Sequence, residues 1–126
     1  MITLLELADR CEKVSGPDRE IDREIGRAIG IHVQGSPQEP TAWINREWIP
    51  LPVYTASIDA AMTLIPDSWH VVQLRHMNPT NWYAEVGSII DDAETREGEG
   101  IFGNLALCAA SLRARHATLE VVKVRA

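Results

Sequence analysis

The chain has 126 residues and a formal net charge of −6, with 45% hydrophobic and 24% charged residues. This composition predicts one globular domain spanning 1–126 and excludes a disordered or fibrous chain. The negative charge argues against general binding to duplex DNA, because such binding depends on neutralising many phosphates. No run of about eighteen apolar residues and no secretion signal is visible, so we expect a cytoplasmic protein without membrane contact.

Charge and cysteines are unevenly placed along the chain. Residues 101–126 carry a net charge of +3, which leaves −9 on residues 1–100. A local anion site near the C-terminal end is therefore compatible with the acidic whole. Cys11 and Cys108 both fall on apolar faces of predicted helices, so we expect two small buried hydrophobes and no disulfide.

The first two predicted elements are helices. Thr3 and Glu6 have the spacing of a capping box, and a helical apolar stripe follows at Leu4, Leu7, Ala8 and Cys11. Gly16-Pro17 ends this helix and opens a second one, which we expect to stop at Gly30. The second apolar stripe consists of Ile21, Ile25, Ala28 and Ile29. Acidic residues interleave with arginines on its predicted solvated face: Asp18, Glu20, Asp22 and Glu24 with Arg19, Arg23 and Arg27.

The middle of the chain alternates short strands and a helix. Prolines and glycine interrupt residues 31–52 so often that only a short strand or hairpin through 42–44 and 48–49 is expected. A helix capped by Ser57 is halted by Pro66. Its spacing predicts that it buries Ile58, Ala61, Met62 and Ile65.

The second half predicts a hairpin followed by a helix. Strands over 71–77 and 82–86 flank the turn Asn78-Pro79-Thr80-Asn81. The acidic stretch 87–100 is expected to be a mobile surface loop, Asn104 to cap the last helix, and 119–124 to add a final strand. The sequence thus predicts an α+β fold in which helices cover an antiparallel sheet, with the element order roughly ααβαββα(β). The covering helices are those that start near Ser57 and Asn104.

Catalytic and metal-binding patterns do not emerge from the spacing. His70 and His76 lie on one strand roughly 20 Å apart, too far to share an ion. The sequence has no HExxH, CxxC, calcium loop, nucleophile elbow or phosphate-binding glycine loop, since Gly98 and Gly100 follow an acidic stretch. We therefore expect no metal, no cofactor and no enzymatic activity.

Aromatic and basic residues offer two open interpretations each. The tryptophans either pack in the core or stack on a nucleotide base; they are Trp43, Trp48, Trp69 and Trp82. Strand alternation predicts that if Trp82 faces the core, Tyr83 faces the other way, beside Arg75 or His76. Arg113 and Arg115 either complement the dipole of the last helix or bind phosphate.

Two segments carry a family resemblance. The pattern Tyr-x-x-Ser-x-Asp-Ala-Ala at 54–61, strands containing a tryptophan, and Leu-Ala-Leu-Cys-x-Ala-x-Leu at 105–112 resemble the phage ABA-sandwich domain over Tyr54 to Arg115. The openings at 4–12 and 16–22 are similar to prophage proteins of alphaproteobacteria. This family includes the Thoeris anti-defence proteins of the first type, phage sponges that hold cyclic ADP-ribose isomers and, in some cases, cyclic oligonucleotides.

The resemblance implies a non-catalytic protein that binds a small anionic cyclic nucleotide and forms a homo-oligomer, counteracting host defence. Sponge members often have a basic residue after the cysteine of the last helix, where this chain has Ala109. The predicted ligand-binding residues are accordingly Arg113, Arg115, Trp82, Tyr83, Arg75 and His76. The competing hypothesis is a small acidic phage protein that binds and inhibits a host protein. A pocket where arginine and aromatic groups converge favours the sponge, and a flat acidic face favours the inhibitor.

Overall fold

A computed structural model describes residues 2–91 and 93–125, and of residues 120–125 it describes the backbone alone. The elements of this part follow in chain order: α1 (Leu4–Lys13), α2 (Arg19–Ala28), β1 (His32–Gly35), β2 (Pro40–Ile44), β3 (Glu47–Pro50), α3 (Ile58–Met62), β4 (Trp69–Asn78), β5 (Asn81–Ser88), β6 (Thr95–Gly100) and α4 (Gly103–Arg125). None of the described helices is both long and apolar enough to cross a lipid bilayer.

Two separate three-stranded antiparallel sheets make up the β structure. The N-terminal sheet has the order β1-β2-β3, and the C-terminal sheet has the order β4-β5-β6. Helix α2 packs on β1 and β2, α4 packs on all three strands of the C-terminal sheet, and α1 lies between α2 and α4. The predicted α+β class with antiparallel strands and helical cover is confirmed, as is the hairpin of β4 and β5.

Helix α4 contacts α1, α3 and all three strands of the C-terminal sheet. All side chains from Leu105 to Leu112 are buried, because the C-terminal sheet, α1 and α3 surround this part of the helix. Because this part of α4 is surrounded, its apolar residues do not form a stripe on one side only. Its small residues let the neighbouring elements approach the helix closely. The approach is closest at β6, where a Cβ added to Gly98 would collide with the Ala106 carbonyl oxygen and the Ala110 amide nitrogen.

This close approach explains why one prediction is wrong. Residues 87–100 were expected to form a loop, but β5 continues to Ser88 and residues 95–100 form β6. The inward positions of β6 are Gly98 and Gly100, so no apolar alternation marks the strand in the sequence. Of the described residues in this stretch, 89–91, 93 and 94 lie between the two strands.

The expectations for the C-terminal helix also need correction. Residues 119–124 continue α4 and do not form a strand. The helix contains no glycine or proline after Gly103. Its alanines, leucines and arginines favour helix, so the helix continues through the valines near its end. Asn104 lies inside the helix, and its side-chain amide donates to the Thr55 carbonyl oxygen, so it ties a loop to α4 rather than capping the helix.

Helix α3 is shorter than predicted and differently placed. Ser57 does cap it, accepting a hydrogen bond from the Ala60 amide. However, α3 packs on α4 and not on either sheet. Its buried residue is Ala61, whereas Ile58 and Met62 are exposed, and Leu64, two residues after the helix, is also buried. The helix ends after five residues, so it is too short to form the two-turn apolar stripe that the sequence predicts.

Helices α1 and α2 agree with the sequence except at one position. The predicted core positions of α1 are all buried, and those of α2 are buried or half-buried. Asp22 was expected on the solvated face of α2 but is fully buried. It accepts hydrogen bonds from the Thr55 amide at 2.9 Å and the Thr55 hydroxyl at 2.8 Å, and it pairs with Arg19 at 2.8 Å. These three partners compensate for burying the carboxylate.

Candidate functional site at the β4–β5 hairpin

Four of the six predicted ligand-binding residues meet on the β4–β5 hairpin as two directly opposed cross-strand pairs. Arg75 lies opposite Tyr83, and His76 lies opposite Trp82. The Arg75 guanidinium carbon is 5.3 Å from the centroid of the Tyr83 ring, within cation–π range. The His76 and Trp82 rings stack with centroids 4.8 Å apart and an interplanar angle of 28°. Register alone brings these groups together.

The two pairs lie on opposite faces of the sheet. Trp82 faces α4 together with Ala84, and Tyr83 faces outward with Arg75, as strand alternation predicts. Of the two neighbours named from the sequence, Arg75 is the one beside Tyr83, and His76 belongs to the Trp82 side. A ligand therefore contacts one pair or the other from a given side.

The inner pair lies at the start of α4. The half-buried Trp82 ring packs so close to Gly103 that a Cβ there would be 3.4 Å from ring atom Cε3. His76 covers Trp82 and is itself exposed, as is Phe102 just before the helix. The first turn of α4 has no acidic side chain, so the positive end of its dipole is not neutralised locally. The corner thus combines an aromatic stack with a favourable environment for negative charge.

The outer pair has the opposite electrostatic character. Glu85, Glu97 and Glu99 occupy neighbouring positions on the same face of the sheet. Partial burial and a hydrogen bond to Glu97 raise the pKa of Tyr83 to about 12, so its hydroxyl stays protonated. One arginine among three glutamates makes this face acidic, which repels an anionic ligand.

Arg113 is occupied by protein groups. Its guanidinium donates two hydrogen bonds of 2.8 Å to Glu12, one of 2.9 Å to Asp9 and one of 2.8 Å to the Glu97 carbonyl oxygen. Pairing with Glu12 raises the pKa of Arg113 further and lowers the pKa of the Glu12 carboxyl. A phosphate at Arg113 would have to displace both carboxylates. The residue lies away from the hairpin corner and ties α4 to α1 and β6.

Arg115 lies in a different place again. Its Nε donates to the Leu64 carbonyl oxygen at 2.6 Å, and its Nη2 is 3.4 Å from the Thr63 carbonyl oxygen. It lines an apolar cleft of about 170 Å³ with Leu4, Ala28, Ile29, Pro66, Thr118 and Leu119. Burial lowers the pKa of Arg115, although an arginine remains charged at neutral pH. The cleft has no aromatic residue, so Arg115 does not join a base-stacking site.

A third aromatic group lies on the N-terminal sheet, and for its tryptophans the sequence predicts only core packing or stacking on a base. His32, Trp43 and Trp48 lie at matching register positions on the outer face of the N-terminal sheet. The Trp48 ring is 5.4 Å from Trp43 and 5.5 Å from His32, and both tryptophans are more than two-fifths exposed. The signal was the two-residue turn Asn45-Arg46, both at positive φ, which sets Trp43 opposite Trp48.

The buried polar groups serve the fold. Cys11 and Cys108 are free and buried. Contact with Cys11 and burial raise the pKa of the Cys108 thiol, so it is protonated and a poor nucleophile. Asp22 is buried with all its hydrogen bonds made inside the protein. Within residues 2–91 and 93–119, whose side chains the structure describes, no group of three or more histidine, cysteine or acidic side chains is arranged to hold a metal ion.

Comparison with protein-family models, curated proteins and solved structures gives no match for this chain.

Proposed function

We propose that the chain is a non-catalytic protein that binds and sequesters a small anionic cyclic nucleotide at the hairpin corner formed by His76, Trp82 and the start of α4. The observation that supports this most is the His76–Trp82 stack beside a helix N-terminus without a first-turn acid. The stack suits a base, and the helix N-terminus suits a phosphate. The resemblance to phage sponges supplies the biological role: capture of a cyclic ADP-ribose isomer or a cyclic oligonucleotide in the bacterial cytoplasm, counteracting host defence.

In this proposal the base extends the existing aromatic stack. The exposed face of His76 receives the base. The phosphate lies towards the amides at the start of α4. Arg113 and Arg115 stabilise the fold in the geometry observed, since the guanidinium of each already donates to protein oxygens. In this proposal the ligand therefore binds at the inner corner without Arg113 or Arg115, which the sequence interpretation offered as phosphate ligands.

The test compares two histidines of the same strand. The purified protein is titrated calorimetrically with a panel of cyclic dinucleotides and ADP-ribose isomers, first as the native chain and then as His76→Ala. His70→Ala is the matched control, because His70 is an exposed histidine near the other end of β4. Losing one stacking partner costs about 1–3 kcal/mol, so His76→Ala should weaken binding about tenfold and His70→Ala should not.

The fate of the ligand separates sequestration from catalysis. Nucleotide released by heat denaturation should be chemically intact. Recovery of opened or hydrolysed nucleotide would contradict a non-catalytic role. An absence of binding to every member of the panel would contradict the ligand class.

The acidic outer face of the C-terminal sheet favours a second candidate, a module that binds and inhibits a host protein through this face. Arg75 and Tyr83 lie there among Glu85, Glu97 and Glu99. Such a face complements a basic protein surface. A captured host protein that is released by Tyr83→Ala with Glu97→Lys but retained by His76→Ala would support this role. Release by His76→Ala alone would contradict it.

A further inference from the structure

The two edges of the C-terminal sheet are treated differently by the rest of the protein. At β6, the Glu99 amide donates to Glu12 Oε2 at 2.9 Å, and the Glu97 carbonyl oxygen accepts from Arg113 at 2.8 Å. Side chains from α1 and α4 thus use backbone groups that a further strand would need. This edge is closed to additional pairing.

The β4 edge is open. Strand β4 pairs with β5 along one side, and the described residues supply no strand for its other side. It is ten residues long, contains no acidic residue or proline, and exposes Val72 and Met77 at 48% and 46%. An unpaired edge of this length and composition is a template for another strand.

We propose that β4 pairs antiparallel with β4 of a second copy of this chain, about a two-fold axis at Leu74, to form a continuous six-stranded sheet. The occupant is a second copy because the edge complements itself in one register. A closed two-fold dimer also uses up both open edges, whereas a head-to-tail contact would leave one free. The pairing does not depend on the nucleotide proposal.

Charge selects the register. Shifts in the pairing with β5 after Val71 and after His76 leave Gln73 to His76 as the regular part of the strand. With the helices of both copies on the same side, Leu74 lies opposite the partner's Leu74, and Gln73 lies opposite the partner's Arg75. The neighbouring register would place Arg75 against the partner's Arg75, which like-charge repulsion disfavours.

The side-chain oxygen of Gln73 can accept a hydrogen bond in this contact. Its side-chain nitrogen donates to Glu85 Oε1 at 2.9 Å, which leaves the amide oxygen of Gln73 as an acceptor. The partner's Arg75 would donate to that oxygen, with the Glu85 carboxylate one strand away. The same contact occurs twice across the axis.

A charge exchange tests the register. Light scattering of the native protein at micromolar concentration should give about twice the chain mass of 14.0 kDa. Gln73→Arg sets arginine against arginine twice and should raise the dimer dissociation constant about tenfold. Arg75→Glu should also weaken the dimer, and the double variant Gln73→Arg with Arg75→Glu should restore it. Glu47→Arg, on the N-terminal sheet, is the control that should leave the dimer unchanged.

Hydrogen exchange gives a second, independent measurement in the native chain. Amides of residues 69–78 should become more protected as the protein concentration rises through the dimer dissociation constant, while those of β6 should not change. A native protein that stays monomeric, a Gln73→Arg dimer as tight as the native one, or a double variant that does not regain dimerisation overturns the proposal. Concentration-independent exchange in β4 overturns it as well.

Discussion

The guanidinium of Arg113 and the carboxylate of Glu12 meet in two parallel hydrogen bonds, both 2.8 Å long, across 101 positions of sequence. Asp9 and the Glu97 carbonyl oxygen complete the arrangement. One side chain therefore joins α1, α4 and the edge of β6. Because the geometry is bidentate and only partly exposed, we expect this pair to stabilise the fold more than a surface ion pair does.

Replacing Arg113 should destabilise the protein clearly. Arg113→Met keeps the aliphatic packing but leaves Glu12 and the Glu97 carbonyl oxygen without this donor, which should lower the free energy of unfolding by about 2–3 kcal/mol. Arg96→Met is the matched control, because Arg96 pairs with Glu94 on the surface and its loss should cost under about 1 kcal/mol. Urea denaturation measures both. Equal losses in the two variants would contradict the role given to Arg113.

The same pair predicts a dependence of stability on acid pH. Hydrogen bonding to Arg113 lowers the pKa of the Glu12 carboxyl below its usual value of 4.5. A group whose pKa is lower in the folded state contributes its stabilisation above the unfolded pKa and loses it as the pH falls through the folded one. Stability should therefore fall below about pH 4.5, and Glu12→Gln should make this fall shallower.

Melting temperatures measured from neutral pH to acid pH check this prediction. Glu6→Gln serves as the control, since Glu6 is an exposed glutamate of the same helix. A Glu12→Gln profile that falls as steeply as the native one would mean that other carboxylates cause the acid sensitivity.

Close packing between β6 and α4 leads to a prediction at a single glycine. Gly98→Ala forces a Cβ against the backbone of Ala106 and Ala110, which cannot move away as a flexible side chain would. Overpacking of this kind costs about 3 kcal/mol. Gly16→Ala, where the added Cβ meets nothing within 4 Å, should change stability little. Calorimetric melting of the two variants decides the matter, and a well-folded Gly98→Ala protein of native stability would contradict the packing described.

Helix α1 could be predicted from the sequence, whereas strand β6 could not. Helix α1 buries Leu7 and Cys11 at helical spacing, so its inner face is visible as a periodic apolar stripe. Strand β6 buries glycines, because α4 takes the space that side chains would fill. The other residues of this part of β6 are exposed glutamates, and a sequence of glycines and glutamates is typical of a loop.

The candidate site divides in the same way. Alternation along one hairpin predicted that Tyr83 faces away from Trp82, beside Arg75 or His76, and the register places Arg75 there. The partners of Arg113 come from α1 and β6, and no local pattern links residues 12 and 113. Arg113 lies in the middle of α4 and not near its end, and the sequence alone is equally compatible with a phosphate ligand and with a residue that pairs with carboxylates of other elements.

The last prediction concerns the buried carboxylate of Asp22, which holds the loop before α3 on α2. Asp22 Oδ1 accepts from both the amide and the hydroxyl of Thr55, while Oδ2 pairs with Arg19. Asp22→Ala would leave the buried Thr55 amide without its acceptor and Arg19 without its carboxylate partner, so the free energy of unfolding should fall by about 3 kcal/mol or more. Asp22→Asn retains one carbonyl oxygen for Thr55 but turns an NH2 donor towards Arg19, so it loses the ion pair alone and its destabilisation should be smaller than that of Asp22→Ala. Glu20→Ala, an exposed acid of the same helix turn, should be nearly neutral. Chemical denaturation ranks the three variants, with hydrogen exchange at residues 54–57 reporting loop release, and Asp22→Ala as stable as Glu20→Ala would show that the loop is held by packing alone.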